Sequence, residues 1–266
     1  MFLSCLQINI GNDPNRPQPG RDWLRNLYHV HQRLCMAFPS DPRKERDPDF
    51  LAPYAPEDFG LVKDHEQVHV PRKENAGFLF RIDPHAGGGV GILVQSIVKP
   101  DWDYAFHNAR YLISDTPMLK PFNPKFEMNQ SLEFRLVANP TMKFDTLTKK
   151  ERMKYTKEEF KKIEGRNGKR LPVPACQLYD WLSRKAAVAG FSITKDSINI
   201  QTGYIYIQKR DEKMKRLRSV RYDGILKVIN PDSFEKTLSA GIGPAKAFGF
   251  GLLSVAPAAR RQSCSG

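Results

Sequence analysis

A fixed order of hydrophobic periods runs through the second half of this sequence. Residues 132–138 alternate as a strand, and residues 175–189 carry Leu178, Trp181, Leu182, Ala186 and Ala189 at helical spacing. Residues 191–200, 204–209 and 220–229 read as strands. Pro231 opens a short helix with Phe234 and Leu238 inside, and residues 250–255 form a last strand. Strand, helix, strands, helix, strand leaves few packings, because each helix must cover one face of the sheet to bury its apolar stripe.

The first half begins in the same order. Residues 2–10 alternate as a strand, and Leu27, Val30, Leu34, Ala37 and Phe38 recur as one face of a helix over 27–38. Asn26 is placed to cap that helix and Pro39 to stop it. Residues 78–82 and 90–98 read as strands around the Gly87-Gly88-Gly89 turn. Residues 40–74, rich in proline and charge, read as an elaborated loop, and prolines interrupt any long element over 99–129. The expectation is an α+β chain of two tandem ferredoxin-like (RRM-like) domains, over residues 1–129 and 130–257, with a loose tail at 258–266. Such sheets often bind RNA, but the fold does not name a function.

Charge narrows the choice. The 266 residues include 42 Lys and Arg against 29 Asp and Glu, a net +13, which suits a polyanion or simply a solvated basic surface. No apolar run approaches the roughly 20 residues that span a bilayer, and the start lacks a basic region before its apolar residues. A soluble, cytoplasmic chain with no membrane partner is expected. Cys5, Cys35, Cys176 and Cys264 are scattered with no C-x-x-C pair, so neither a disulfide framework nor a cysteine zinc site is expected.

Two segments concentrate the positive charge. Residues 143–170 hold eleven basic against five acidic residues, net +6, from Lys143 to Arg170. Between two strands, Lys209, Arg210, Lys213, Lys215, Arg216, Arg218 and Arg221 stand against Asp211 and Glu212, net +5 in thirteen residues. A hairpin this basic can enter a groove of duplex RNA and hold its phosphates; the alternative is solvated surface. The segment Gly241-Ile242-Gly243-Pro244-Ala245-Lys246-Ala247-Phe248-Gly249-Phe250-Gly251 has four glycines in eleven residues. Its N–H groups and Lys246 can cradle phosphates, or its glycines can serve a tight chain reversal. It matches neither the P-loop nor the dinucleotide fingerprint.

Tyr28 and His31 lie three apart on the first helix and so share a face. Placed in the early turns, where the positive end of the helix dipole disfavours imidazolium, His31 can move protons near neutrality. The alternative is a pair of half-buried, hydrogen-bonded helix residues. His29 points to another face. His65-Glu66-Gln67-Val68-His69 matches H-E-x-x-H, but Pro71 and loop-like surroundings deny it the helix that zinc chemistry needs, so it reads as coincidence.

Four segments in one order resemble the CasE family, the endoribonuclease that processes CRISPR RNA in the type I-E Cascade complex. They are Asn26-Leu27-Tyr28-His29-Val30-His31-Gln32-Arg33-Leu34; Phe134-Arg135-Leu136-Val137-Ala138-Asn139-Pro140; Arg221-Tyr222-Asp223-Gly224-Ile225-Leu226; and the glycine-rich segment continued to Gly251-Leu252-Leu253-Ser254-Val255-Ala256-Pro257. The resemblance implies two ferredoxin-like domains in tandem and a cut at the base of a repeat-RNA hairpin, without metal or cofactor. It implies as partners the CRISPR repeat hairpin and mature crRNA, and other Cascade subunits, chiefly the backbone subunit beside the 3′ hairpin.

The family's Tyr-x-x-His falls on Tyr28 and His31, which the resemblance makes the catalytic pair, His31 moving the proton while Tyr28 orients the site or stabilises charge. Lys143 would neutralise the phosphate. Lys209, Arg210, Lys213, Lys215, Arg216 and Arg218, with Gly241, Gly243, Lys246, Gly249 and Gly251, would hold the RNA. The alternative is a hairpin-binding subunit that does not cut.

Overall fold

The computed structural model describes residues 1–11, 13, 18–48, 77–85, 89–143, 153, 170–208 and 213–258. The H-E-x-x-H segment, most of residues 40–74 and 143–170, the Gly87-Gly88 turn, Lys209, Arg210 and the tail beyond 258 lie outside them. The chain divides into two compact units. One comprises Met1–Pro124, Tyr206–Arg216 and Lys246–Leu252, and the other Lys125–Ile205, Leu217–Ala245 and Leu253–Gly266.

In the first unit, β1 (Phe2–Ile8) leads through two short helices, α1 (Pro19–Leu24) and α2 (Leu27–Cys35), to α3 (Asp41–Arg46). Then follow β2 (Phe78–Pro84), β3 (Val90–Ser96), α4 (Trp102–Phe106), a 3-10 turn at His107–Leu112 and β4 (Met118–Pro121). The strands form one sheet in the order β2-β3-β1-β4, antiparallel throughout, with Leu6 opposite Ile92 and Phe80 opposite Val94. Alternation in β1 buries Ser4, Leu6 and Ile8 on one face. The one polar member, Ser4, accepts a hydrogen bond from Trp102 Nε1 at 2.9 Å, so its burial leaves no oxygen wanting. Val30 and Leu34, fully buried on α2, each contribute about 1.5–3 kcal/mol of apolar burial.

The second unit runs β5 (Ser131–Ala138), a small ribbon of β6 (Thr141–Lys143) and β7 (Arg170–Pro172), and α5 (Leu178–Val188). It continues with β8 (Phe191–Ile207), β9 (Lys215–Val228), α6 (Pro231–Ala240) and β10 (Leu253–Pro257). The sheet order is β10-β5-β9-β8. Leu132, Phe134, Leu136 and Ala138 of β5 and Val220, Tyr222, Leu226 and Val228 of β9 meet Trp181, Leu182, Phe234 and Leu238 of the helices in one core. The Trp181 ring stacks on Tyr222 at 6.3 Å, and the Tyr222 hydroxyl donates to the Leu178 carbonyl at 3.2 Å. Burial pushes that phenol far above its ordinary pKa. Each sheet has the strand order of the ferredoxin-like fold, the outer strands following the helices.

Several boundaries differ from the sequence expectations. The two strands predicted over 191–200 and 204–209 are one strand of 17 residues. The last strand begins at Leu253, because Gly249 and Gly251 take φ of 78° and 90°, outside the extended range. Helix α2 ends at Cys35, three residues short of the predicted end. The predicted loop after Ser40 opens with the short helix α3. Among the described residues no helix is long and apolar enough to cross a membrane.

Candidate active site

The site is built on α2. Asn26 takes an extended conformation and its Oδ1 accepts from the Tyr28 amide at 3.2 Å, the expected N-cap. The same side chain reaches further than a cap: Nδ2 donates to the Gln208 carbonyl at 2.8 Å, and the Gln208 amide donates to Oδ1 at 3.4 Å. Asn26 therefore fixes the start of α2 against the outgoing end of β8, within the first unit. Arg33 anchors the other side of the helix, donating to the Ala105 carbonyl at 3.0 Å and to Asn108 Oδ1 at 2.8 Å. Its burial lowers the guanidinium pKa.

Tyr28 and His31 are both half-buried and one turn apart on α2. His31 is the fifth of nine helical residues, so it sits mid-helix rather than in the first turn, where the dipole field is concentrated. Its ring stacks on Phe78, with centroids 5.5 Å apart and planes at 30°, and on Phe80, at 6.4 Å and 16°. Nδ1 is buried, and Nε2 lies 3.6 Å from Cys35 Sγ, one helical turn on. His29 is exposed, with Nε2 3.4 Å from Asn26 Nδ2. Neither Phe78, Phe80 nor Cys35 stood out in the sequence, and only a strand pattern over 78–82 hinted at the two rings.

The glycine-rich segment is divided between the units. Gly241 ends α6, its amide donating to the Thr237 carbonyl at 2.7 Å. Gly243 has φ +87°, and an added Cβ would meet the Trp181 ring at 3.3 Å. In the first unit, a 3-10 turn at Lys246–Phe248 packs against α2 and β2. Gly249 follows with φ +78°, and a Cβ there would come 3.2 Å from Phe80 Cε2. Lys246 is half-buried in that turn, and desolvation lowers its pKa. A lysine, a tyrosine and a histidine thus belong to elements in mutual contact. An imidazole and a phenol on one helix face, with a lysine on a turn that packs against that helix, are groups that proton transfer at a phosphodiester can use.

The basic residues between β8 and β9 have different surroundings. Lys213, Lys215 and Arg216 are exposed. Arg218 is half-buried and donates to the Val173 carbonyl at 2.6 Å, while its own carbonyl accepts from Asn139. Arg221 pairs with Asp223, which also holds Arg135 at 2.6 Å across β5 and β9. Lys143 ends β6 in register with Arg170.

The family model described as CRISPR associated protein matches residues 1–257. The CRISPR-associated endoribonuclease Cse3 of Thermus thermophilus is 27% identical over 190 residues, covering 67% of this chain and 79% of the relative. The CRISPR system Cascade subunit CasE of Escherichia coli is 25% identical over 242 residues, covering 89% of this chain and 95% of the relative. A solved structure of CRISPR endoribonuclease Cse3 bound to a 19-nucleotide RNA aligns with a TM-score of 0.65 at 25% identity, over 97% of this chain and all of that one.

Proposed function

Because the chain belongs to the CRISPR-associated protein family, we propose that it is an endoribonuclease that cuts CRISPR repeat RNA at the base of its hairpin. It then stays on the product as a Cascade subunit. The observation that carries this is the placement of Tyr28 and His31 one turn apart and half-buried on α2, in a chain with one relative named as an endoribonuclease and another as a Cascade subunit.

The reaction uses the RNA's own nucleophile. His31 takes the proton from the 2′-hydroxyl before the cut, O2′ forms its bond to phosphorus, and the bond from phosphorus to O5′ breaks. The proton passes to O5′, leaving a 2′,3′-cyclic phosphate and a 5′-hydroxyl. No metal is needed for that sequence. Tyr28 orients the phosphate, and Lys246 offsets the charge that grows on its oxygens. General acid–base help of this kind is worth about 10²–10⁴-fold, enough for an enzyme whose value lies in keeping its product. Lys213, Lys215 and Arg216 are exposed to hold the hairpin phosphates.

The test is a synthetic repeat hairpin from the same genome incubated, with divalent ions chelated, with the native chain and with His31→Ala. A single cut at the hairpin base, abolished in the variant while affinity stays within a few-fold, is the expected result. Tight binding and no cut by either protein would instead make the chain a hairpin-binding subunit.

A further inference from the structure

Two aromatic side chains outside the proposed chemistry face the His31 ring, and a third packs on one of them. Phe78 and Phe80, two residues apart on β2, face the imidazole at 5.5 Å and 6.4 Å with planes at 30° and 16°. Phe38 stacks on Phe78 in turn, at 5.2 Å and 18°. Phe80 is fully buried, and the Gly249 backbone lies so close to it that a single added carbon would sit 3.2 Å from its ring. Phe80 is therefore tightly packed in this wall. A ring stacked on such a wall keeps its plane, and what remains is which nitrogen faces an incoming hydroxyl.

That choice follows from the partners. Nδ1 is buried, whereas Nε2 lies 3.6 Å from Cys35 Sγ. A thiol is a weak hydrogen-bond partner, so an RNA oxygen can replace it at little cost. We infer that Phe78 and Phe80 are positioning residues for His31. They hold its ring so that Nε2 exchanges the Cys35 thiol for the 2′-hydroxyl and takes its proton. The inference rests on the endoribonuclease reading and names the groups that aim its histidine. The proton taken by Nε2 is returned to O5′ as the bond from phosphorus to O5′ breaks, so the wall itself is unchanged through the cycle.

Phe78 is the residue to test, being half-buried on an edge strand, where truncation spares the core. Misplacing a reacting group by about 1 Å can cost on the order of 10²-fold, and removing one of two rings should cost about tenfold. Phe78→Leu is expected to lower the single-turnover rate by that amount with RNA affinity unchanged within about threefold, a split that weakened binding would not produce. Phe78→Tyr, which restores the ring, is expected to restore the rate. Phe38→Leu, which thins the same aromatic cluster at a ring that stacks on Phe78 and meets Trp102 edge-on, is expected to leave it.

A second measurement needs no RNA. In the native chain the His31 ring protons, assigned by their absence in His31→Ala, are expected well upfield from the stacked rings, and Phe78→Leu should move them downfield. Unshifted protons in a chain that cuts, or a Phe78→Leu variant that cuts at the native rate, would overturn the positioning role alone. A native chain that binds the hairpin and does not cut would bring down the endoribonuclease reading and this role with it.

Discussion

Asn26 and Gln208 stand 182 positions apart and are joined by two hydrogen bonds, at 2.8 Å and 3.4 Å. One side chain thus starts the helix that carries Tyr28 and His31 and also holds the end of β8, where the basic connection begins. Asn26→Ala should cost about 1 kcal/mol from the cap alone. Asn26→Asp keeps an acceptor for the Tyr28 amide and gains from the helix dipole, but cannot donate to the Gln208 carbonyl. Urea unfolding should place Asn26→Asp between the native chain and Asn26→Ala. Equal destabilisation by the two substitutions would mean that the link to Gln208, not the cap, carries the effect.

The exposed cations at the start of β9 and just before it should act through counterion release. Replacing Lys213, Lys215 and Arg216 with Ala is expected to weaken hairpin binding uniformly across RNA sequences. It should also flatten the plot of log affinity against log salt by about one unit of slope for each phosphate left without its cation. Arg218→Ala should behave differently, because its guanidinium donates to the Val173 carbonyl. It should lower the unfolding temperature and leave most of the salt slope. A salt slope unchanged in the triple variant would show these three to be solvated surface.

Lys246 gives a pH signature. Burial holds its ammonium below the ordinary lysine value of 10.5. Between the lowered native value and 10.5 the unfolded chain binds more protons than the native one, so stability rises with pH through that window. Below it the cost of burying the charge is present in full. Lys246→Met removes the titration, so the difference in urea midpoint between native and variant should change in favour of the native chain as pH climbs from neutral toward 10.5. RNA affinity should fall more steeply over the same range in the native chain than in the variant. A parallel pH dependence of the two proteins would remove Lys246 from the phosphate site.

Gly249→Ala combines two penalties. An L-residue at φ +78° costs about 1–2 kcal/mol in backbone strain. The new methyl must also displace the buried Phe80 ring from 3.2 Å. The variant should be destabilised by at least the backbone cost and should disturb the His31 environment in step. Normal stability with an unchanged His31 spectrum would show that the turn yields without moving Phe80.

The sequence carried much of this because local signals agreed. Asn26 before Leu27, Val30 and Leu34 marks one helix, and Pro231 before Phe234 and Leu238 marks another, each with cap and stripe in one place. Alternation marked the strands of both sheets other than Met118–Pro121. What escaped had no local signal. Asp41–Arg46 is a charged helix with no apolar period, and Met118–Pro121 is an edge strand, where a proline is tolerated because one side of the ladder is unpaired. Gly203 made one long strand look like two. At the site, the pairing of Tyr28 with His31 was legible from spacing. The stack of His31 on Phe78 and Phe80 was not, since contacts between a helix and a strand more than forty residues on leave no period to read. The glycine-rich segment showed that close approaches were needed, but not that Trp181 and Phe80 were the rings being approached.

Strand β2 turns Phe78 and Phe80 toward the helix and Leu79 and Arg81 away, and Phe80 keeps this facing while it lies opposite Val94. The geometry is governed by parity. If β2 slid by a single residue against β3, Leu79 and Arg81 would turn inward, and a guanidinium would meet the imidazole where two rings had lain. A slide by two would preserve the facing but carry one ring about 7 Å along the strand and out of reach. A single alignment of these two strands keeps the histidine aimed, so the folding step that selects it also switches the site on.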